Sequence, residues 1–394
     1  MLFSILKNIQ FNGTIDIIDA KGKHHSFGTG KPYVKIRFTT SSIQRKIYIN
    51  PGLHIGEGYM NGELIIEEGR IEDFISIITS SYNNFRSVHF LYRFLESLFV
   101  FFRPLQQLNN INLSKKNVAH HYDIDDNLYR LFLDKDMQYS CAYFHNDNIN
   151  LDQAQLDKKN HIIRKLKIDS DMSVLDIGCG WGGLSLQIAK NTGAKVKGIT
   201  LSEKQLAVAK KKAQQEGLNE QVKFVLQDYR QEGGSYDRIV SVGMFEHVGV
   251  NYFSEFFVTT KKLLKDSGIF LLHTIGNNGK PAATSSWIRK YIFPGGYIPS
   301  LSEIIKVCEQ HNINIADIEI LHHHYEHTLK HWYNNLLKNK GKVIEMFDER
   351  FFRMWEFYLL ISQYSFKHMG NVVFQILISK NTNNLSLTRN YMYN

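Results

Sequence analysis

VLDIGCGWGG, residues 174–183, runs from an apolar strand into a turn that holds four glycines, Gly178, Gly180, Gly182 and Gly183. Glycines accept positive φ and let a ligand approach the backbone closely, so a strand ending this way points to a nucleotide-like ligand at its carboxyl end. The spacing departs from G-x-G-x-x-G, and no Lys-Ser/Thr pair follows, which excludes a phosphate-binding P-loop. Taken alone, the turn leaves hydride and methyl chemistry hardly separated.

The chain around it supplies a sheet. VLDIG (174–178), KVKGIT (195–200), KFVLQD (223–228), RIVSVG (238–243) and GIFLLHT (268–274) read as buried strands. LSLQIAKNT, SEKQLAVAKKKAQQEG and YFSEFFVTTKKLLKDS separate them with helical spacing. Strands alternating with helices predict an α/β domain with a parallel sheet covered on both faces. Two late strands, ADIEILHHH and NVVFQILISK, enclose a long helical stretch.

The second and third strands narrow the ligand. A dinucleotide site ordinarily ends its second strand with an acid that holds ribose hydroxyls. Here the strand closes on Thr200-Leu201-Ser202, with Gln205 one turn on. These neutral groups suit a ribose, although Ser202 equally suits the N-cap of the helix that follows. After the third strand, Gln227-Asp228-Tyr229 offers an acceptor and an aromatic face, as an adenine requires. Together these turns fit S-adenosylmethionine better than a nicotinamide dinucleotide.

Upstream, residues 1–110 read as a small α+β module. GTIDIID, YVKIRFTT and RKIYINPG are expected as strands, with GEGYMNGELIIEEG continuing them and IEDFISIITSSY as a helix. In VHFLYRFLESLFVFFRPL (88–105), Phe90, Leu91, Phe94, Leu95, Leu98, Phe99 and Phe102 share a helical face, with Arg93, Glu96 and Ser97 on another. Such a helix suits a bilayer surface or a packing role between domains. Pro104 and LNNINLSKKN then read as a linker, which puts residues 111–394 in a second domain.

At 394 residues, two domains are the natural division. A formal charge of +9 and a pI near 9.1 admit an anionic partner or simple solubility. Three isolated cysteines (Cys141, Cys179 and Cys308) indicate neither a disulfide framework nor a zinc ribbon and suit a reducing cytoplasm. The N-terminus shows no secretory signal, and no stretch of the sequence is apolar enough to span a membrane. The histidines at 322, 323, 324, 327 and 331 have metal-like spacing, but the run starts on an expected strand and is read as no metal site.

The chain also resembles the cyclopropane-fatty-acyl-phospholipid synthase family, which is related to the mycolic acid cyclopropane synthases. The likeness rests on YSCAYF (139–144), VLDIGCGWGGL, GITLSEKQ (198–205), LQDYR (226–230), DRIVSVGMFEHVG (237–249), IFLLHTIG (269–276) and WIRKYIFPGGYIPS (287–300). GEGYMNGELIIEEG resembles that family's N-terminal domain. The resemblance implies a Rossmann-like class I methyltransferase domain with a mostly parallel seven-stranded sheet. It implies transfer of a methylene from S-adenosylmethionine to cis-unsaturated phospholipid chains, with bound bicarbonate as the base. Carried over by residue, Cys141, Glu246, His273, Ile275 and Tyr325 form the bicarbonate cradle, Cys141 and Ile275 mainly through backbone groups.

The cofactor contacts expected are Tyr139, Ser140, Gly178, Gly180, Gly182, Thr200, Leu201, Ser202, Gln205, Gln227, Asp228 and Tyr229. Trp287, Tyr291, Phe293 and Tyr297 suit an acyl channel, and Arg289 and Lys290 a phosphate headgroup; a packed connector suits the same residues. A homodimer at the inner membrane face, bound to phospholipid and not to nucleic acid, completes the expectation. Amine methylation of a small molecule, methyl-branched lipid products and a non-catalytic lipid-binding paralogue are the alternatives.

Overall fold

The computed structural model describes residues 2–103, 107 and 125–393. Most of the linker read at 104–117, including Pro104, lies outside the described residues. The chain divides into two compact units.

The first unit holds residues 1–103 together with 283–294 and 329–371. A single cut at residue 110 therefore misses two later segments that return to the N-terminal unit. Its sheet has the order β2-β1-β3-β4, from β1 (Gly13–Ile18), β2 (His24–Thr29), β3 (Tyr33–Phe38) and β4 (Leu64–Glu68). Strand β1 pairs antiparallel with β2 and parallel with β3. RKIYI (45–49) is helical rather than extended, within the helix Ser41–Ile49. Thr40 caps it by accepting the Ile43 N–H at 3.2 Å, and Ile43 and Ile47, four apart, are its buried residues. Those two interactions outweigh the β-branched composition that suggested a strand. The helix Glu349–His368 packs on the helices Pro51–Met60 and Ile71–Ser80. Tyr59 donates to Glu356 at 2.6 Å across that packing.

The second unit carries the expected seven-stranded sheet, ordered β10-β11-β9-β8-β5-β6-β7. Its strands are β5 (Ser173–Ile177), β6 (Lys195–Thr200), β7 (Val222–Leu226), β8 (Tyr236–Val242), β9 (Leu264–Asn277), β10 (Asn314–Leu321) and β11 (Asn371–Ser379). The pairs β5–β6, β6–β7, β5–β8 and β8–β9 are parallel, and β10–β11 is antiparallel. Successive side chains of a strand point to opposite faces, and here both faces are apolar. Leu175, Ile177, Ile239, Phe270 and Leu272 enter one core with Phe245, Phe253, Phe256 and Phe257. Val174, Val240, Ile269 and Leu271 enter the other with Ile162, Leu166, Leu186 and Ile188. The chain leaves β5 towards β6 and β7, then returns to β8 on the opposite side. That reversal opens a crevice at the carboxyl ends of β5 and β8, where open α/β sheets place their ligands.

Candidate active site

A cavity of about 1130 Å³, counting its open mouth, occupies that crevice. Of the twelve residues expected at the cofactor, Tyr139, Ser140, Gly178, Gly180, Thr200, Leu201, Gln205, Gln227, Asp228 and Tyr229 wall it. Gly182 and Ser202 do not. Gly182 has φ +85°, and a Cβ there would lie 2.6 Å from Phe224 Cζ and 3.0 Å from Ala209 Cβ, so it serves packing beneath the turn. Ser202 caps the helix Glu203–Gln215, its Oγ accepting the Gln205 N–H at 3.2 Å. Gly180 sits at φ +55° with nothing within 4 Å of its missing side chain. It is the glycine that leaves room for a ligand.

The polar groups of the wall are pre-set. Thr200 Oγ1 donates to Gln205 Oε1 at 3.0 Å. Asp228, nearly fully buried, accepts Arg230 Nε at 2.8 Å and Arg230 Nη2 at 2.8 Å, one oxygen each. A carboxylate has about four acceptor directions, so Asp228 keeps capacity for a ligand donor while Arg230 holds its orientation. Arg230 was missed from sequence; an arginine two residues past an acid at a strand end is the signal that would have found it. Asp176, Trp181, Met244 and His247 also wall the cavity without having been expected there. Burial raises the Asp176 carboxyl to about 6, although Ser185 Oγ donates to it at 2.6 Å.

The loop carrying Tyr139 and Ser140 is fixed from below by the helix Leu151–Leu166. Gln155 Nε2 donates to the Ser140 carbonyl at 2.9 Å, and the fully buried Lys158 donates to Gln138 Oε1 at 2.7 Å and Ser140 Oγ at 2.9 Å. Burial lowers Lys158 to about 8.

The five residues assigned to the anion cradle are Cys141, Glu246, His273, Ile275 and Tyr325. None lines the cavity, whereas their neighbours Ser140, Gly243, Met244 and His247 do. Strands β8 and β9 bring three of the five together: Val242 is in register with His273, and the Gly243 N–H donates to the His273 carbonyl at 2.9 Å. Glu246, in the turn after β8, accepts the Ile275 N–H on Oε1 at 2.6 Å. That backbone group is thus engaged by Glu246. Glu246 Oε2 is buried with no hydrogen-bond partner among the described residues. Burial raises the Glu246 carboxyl to about 7, partly offset by the Ile275 bond, the backbone of Glu246 itself and the nearby Thr274 hydroxyl. Burial and the neighbouring Lys158 and Lys165 hold His273 well below its ordinary value. Burial also raises the Cys141 thiol, which disfavours a thiolate nucleophile. Tyr325 is buried in the first turn of the helix His324–Lys338. Thr328, further along that helix, accepts the Ala142 N–H at 3.0 Å and so ties the helix to the Cys141 loop.

Of the expected channel residues, Trp287 and Tyr291 belong to the packing of the first unit. Trp287 is 1% exposed and meets Phe357 edge-on at 4.8 Å. Lys290 Nζ and the Tyr291 hydroxyl both donate to Glu57, at 2.6 and 2.8 Å. The packed connector describes them. In the histidine run, His324 Nδ1 accepts the Phe144 N–H at 3.0 Å and its ring stacks on Tyr143. Among the described residues no group of three His, Cys, Asp or Glu side chains is placed to hold a metal.

Residues 110–376 match the family described as mycolic acid cyclopropane synthetase, about two thirds of the chain. The chain belongs to that family. Residues 2–89 match a family described only as a domain of unknown function. The cyclopropane-fatty-acyl-phospholipid synthase of Escherichia coli K12 is 35% identical over 90% of both chains. Tuberculostearic acid methyltransferase UfaA1 of Mycobacterium tuberculosis is 32% identical, over 83% of this chain and 78% of its own. The structure of mycolic acid cyclopropane synthase CmaA1 complexed with SAH and CTAB superposes with a TM-score of 0.64 at 31% identity, covering 69% of this chain and 99% of that one. As a member of the mycolic acid cyclopropane synthetase family, the chain is an S-adenosylmethionine-dependent enzyme of the methyltransferase class.

Proposed function

We propose that this enzyme converts cis double bonds of unsaturated phospholipid acyl chains to cyclopropanes. One observation carries the anion-assisted form of this reading: Glu246 Oε2, buried and unpartnered, sits one residue from the cavity wall with its carboxyl raised to about 7. A carboxyl in that state can hold or pass a proton at neutral pH. S-adenosylmethionine would supply the electrophilic methyl group, and bicarbonate the base that takes a proton from it once transferred. The chain's part is to orient, exclude water and place hydrogen-bonding groups. Thr200, Gln205, Gln227, Asp228 and Tyr229 would hold the adenosine end; Tyr139, Ser140 and the glycine turn would fix the sulfonium end. The alkene's electrons form the bond to the methyl carbon as the carbon–sulfur bond breaks towards sulfur. Positive charge would then develop on the acyl chain, and the site would have to keep water from quenching it. Loss of one methyl proton lets the ring close. The side chains of Glu246, His273 and Tyr325 would cradle the anion, with Cys141 and Ile275 contributing backbone groups.

Incubation with methyl-labelled S-adenosylmethionine and vesicles of matched unsaturated or saturated phospholipid tests the reading. Label is expected in the fatty esters of the unsaturated lipid alone. Label in both lipids would mean headgroup methylation, and label in neither would end the proposal. A methyl-branched product shares the first step and would appear as label without a ring.

The same reading places the enzyme as a homodimer at the inner face of the membrane, held there peripherally. No helix among the described residues is long and apolar enough to cross a bilayer. The helix Phe90–Phe101 exposes Phe90 (75%), Phe94 (52%) and Phe101 (75%), with Arg93 also exposed on it. Aromatics beside a cation suit an anionic lipid surface. Replacing Phe94 and Phe101 together by Asp is expected to weaken binding to anionic vesicles at least about tenfold, since each buried Phe contributes roughly 1.5–3 kcal/mol. Co-sedimentation checks it, and undiminished binding would remove this helix from the contact.

A further inference from the structure

We infer that Gln375, itself oriented by Lys165, holds His273 as the neutral imidazole with its hydrogen on Nε2, so that His273 is a donor and not the base. The deduction follows from which atoms can donate. Lys165 Nζ lies 2.8 Å from one end of the Gln375 amide, and an ammonium only donates, so that end is the carbonyl oxygen. The other end is therefore the NH₂ group, 3.1 Å from His273 Nδ1. An NH₂ group only donates, so Nδ1 must offer its lone pair. The ring hydrogen is left on Nε2. An imidazolium would set N–H against N–H and forfeit the bond.

The surroundings enforce this arrangement. Gln375 and Glu319 are cross-strand partners on β11 and β10, and β9, which bears His273, lies on the other side of β11. Glu319 accepts from Lys165 and lies 2.7 Å from His161 Nε2. Lys165 and His161 sit four residues apart on the helix Leu151–Leu166, so one face of it meets the row. Lys165, Gln375, His273 and His161 are all at most 2% exposed. Glu319 opposes the loss of the Lys165 charge that burial favours. The charged or titratable groups acting on His273 are Lys158, Lys165, Glu319 and His161; both lysines disfavour a second cation there. Gln375 and Lys165 are thus positioning residues. Only the role of Nε2–H as a donor to an anion rests on the function proposed above; the tautomer does not.

The test is a two-bond nitrogen–proton correlation spectrum of the full chain labelled with ¹⁵N-histidine, without cofactor. Among the 17 histidines, His273 is assigned by the signals missing from His273→Gln. The expected spectrum shows Nδ1 bare and Nε2 protonated, unchanged between about pH 5.5 and 8.5. In Gln375→Glu the carboxylate accepts where the amide donated, so the hydrogen is expected on Nδ1. Hydrogen on Nδ1 in the unmodified protein, or titration near the ordinary pKa of about 6.5, would overturn the assignment. So would a Gln375→Glu spectrum that keeps it on Nε2. Should that variant not fold, the unmodified protein's spectrum still decides. Added bicarbonate separates the two readings. A shift of the His273 Nε2 signal supports both, while hydrogen on Nε2 with no response upholds the tautomer and removes the anion from the proposed function.

Discussion

Glu246→Gln is expected to lower turnover by about 10²–10⁴-fold while leaving S-adenosylmethionine affinity unchanged. The glutamine is close in shape and still accepts the Ile275 N–H through its amide oxygen, so the turn after β8 keeps its form. What it loses is an exchangeable proton on the buried Oε2. The residue does not wall the cofactor cavity, and binding measured by calorimetry therefore stays level. Loss of cofactor affinity instead would place Glu246 at the cofactor. A stability signature accompanies the kinetic one. The Glu246 carboxyl is raised from 4.5 to about 7, so the folded state holds a proton that the unfolded chain releases. The protein therefore loses stability as pH rises from 4.5 through 7, and the glutamine variant lacks this loss. Between about pH 4.5 and 8 the stability difference should move by about 3 kcal/mol in the variant's favour, at about 1.36 kcal/mol per unit. Denaturant titration at the two pH values measures it.

The paired variants Gly180→Ala and Gly182→Ala are expected to fail in different ways. At Gly182 a Cβ meets Phe224 and Ala209 inside the packed turn at φ +85°. Left-handed strain of about 1–2 kcal/mol and overpacking of about 1–3 kcal/mol together predict a loss of about 2–5 kcal/mol, read as a lower melting temperature. At Gly180 only the strain applies, because nothing lies within 4 Å. The new methyl group instead stands on the cavity wall, and cofactor affinity is expected to fall at least about tenfold, or about 1.4 kcal/mol. A Gly182→Ala protein that melts normally yet loses cofactor would return Gly182 to the binding surface.

Those glycines show what sequence could and could not separate. Strands β5, β6, β8 and β9 were readable because both faces are largely buried, so each appears as a short apolar run; in the edge strand β7 Val222 and Phe224 are buried while Lys223 and Leu226 are exposed. Most residues of the cavity wall were readable because they follow the strand ends. Gly182 and Ser202 were not separable from their neighbours, because a glycine under a turn and a helix-capping serine have the same composition as ligand contacts. Strand β2 went unread because Phe27 is its only buried residue, so no alternation marks it. The return of 283–294 and 329–371 to the first unit depends on long-range packing, such as Trp287 against Phe357, that no local pattern records. The Gln375–His273 pair joins residues 102 positions apart, and only the order of the sheet brings them together.

The most direct test of the central claim uses S-adenosylmethionine carrying a CD₃ group and vesicles of cis-unsaturated phospholipid, with the fatty esters read by mass spectrometry and proton NMR. Ring closure after loss of one deuteron predicts a gain of one CD₂ unit and upfield cyclopropane resonances. Retention of an intact CD₃ group, or lipids that gain no label, would contradict it.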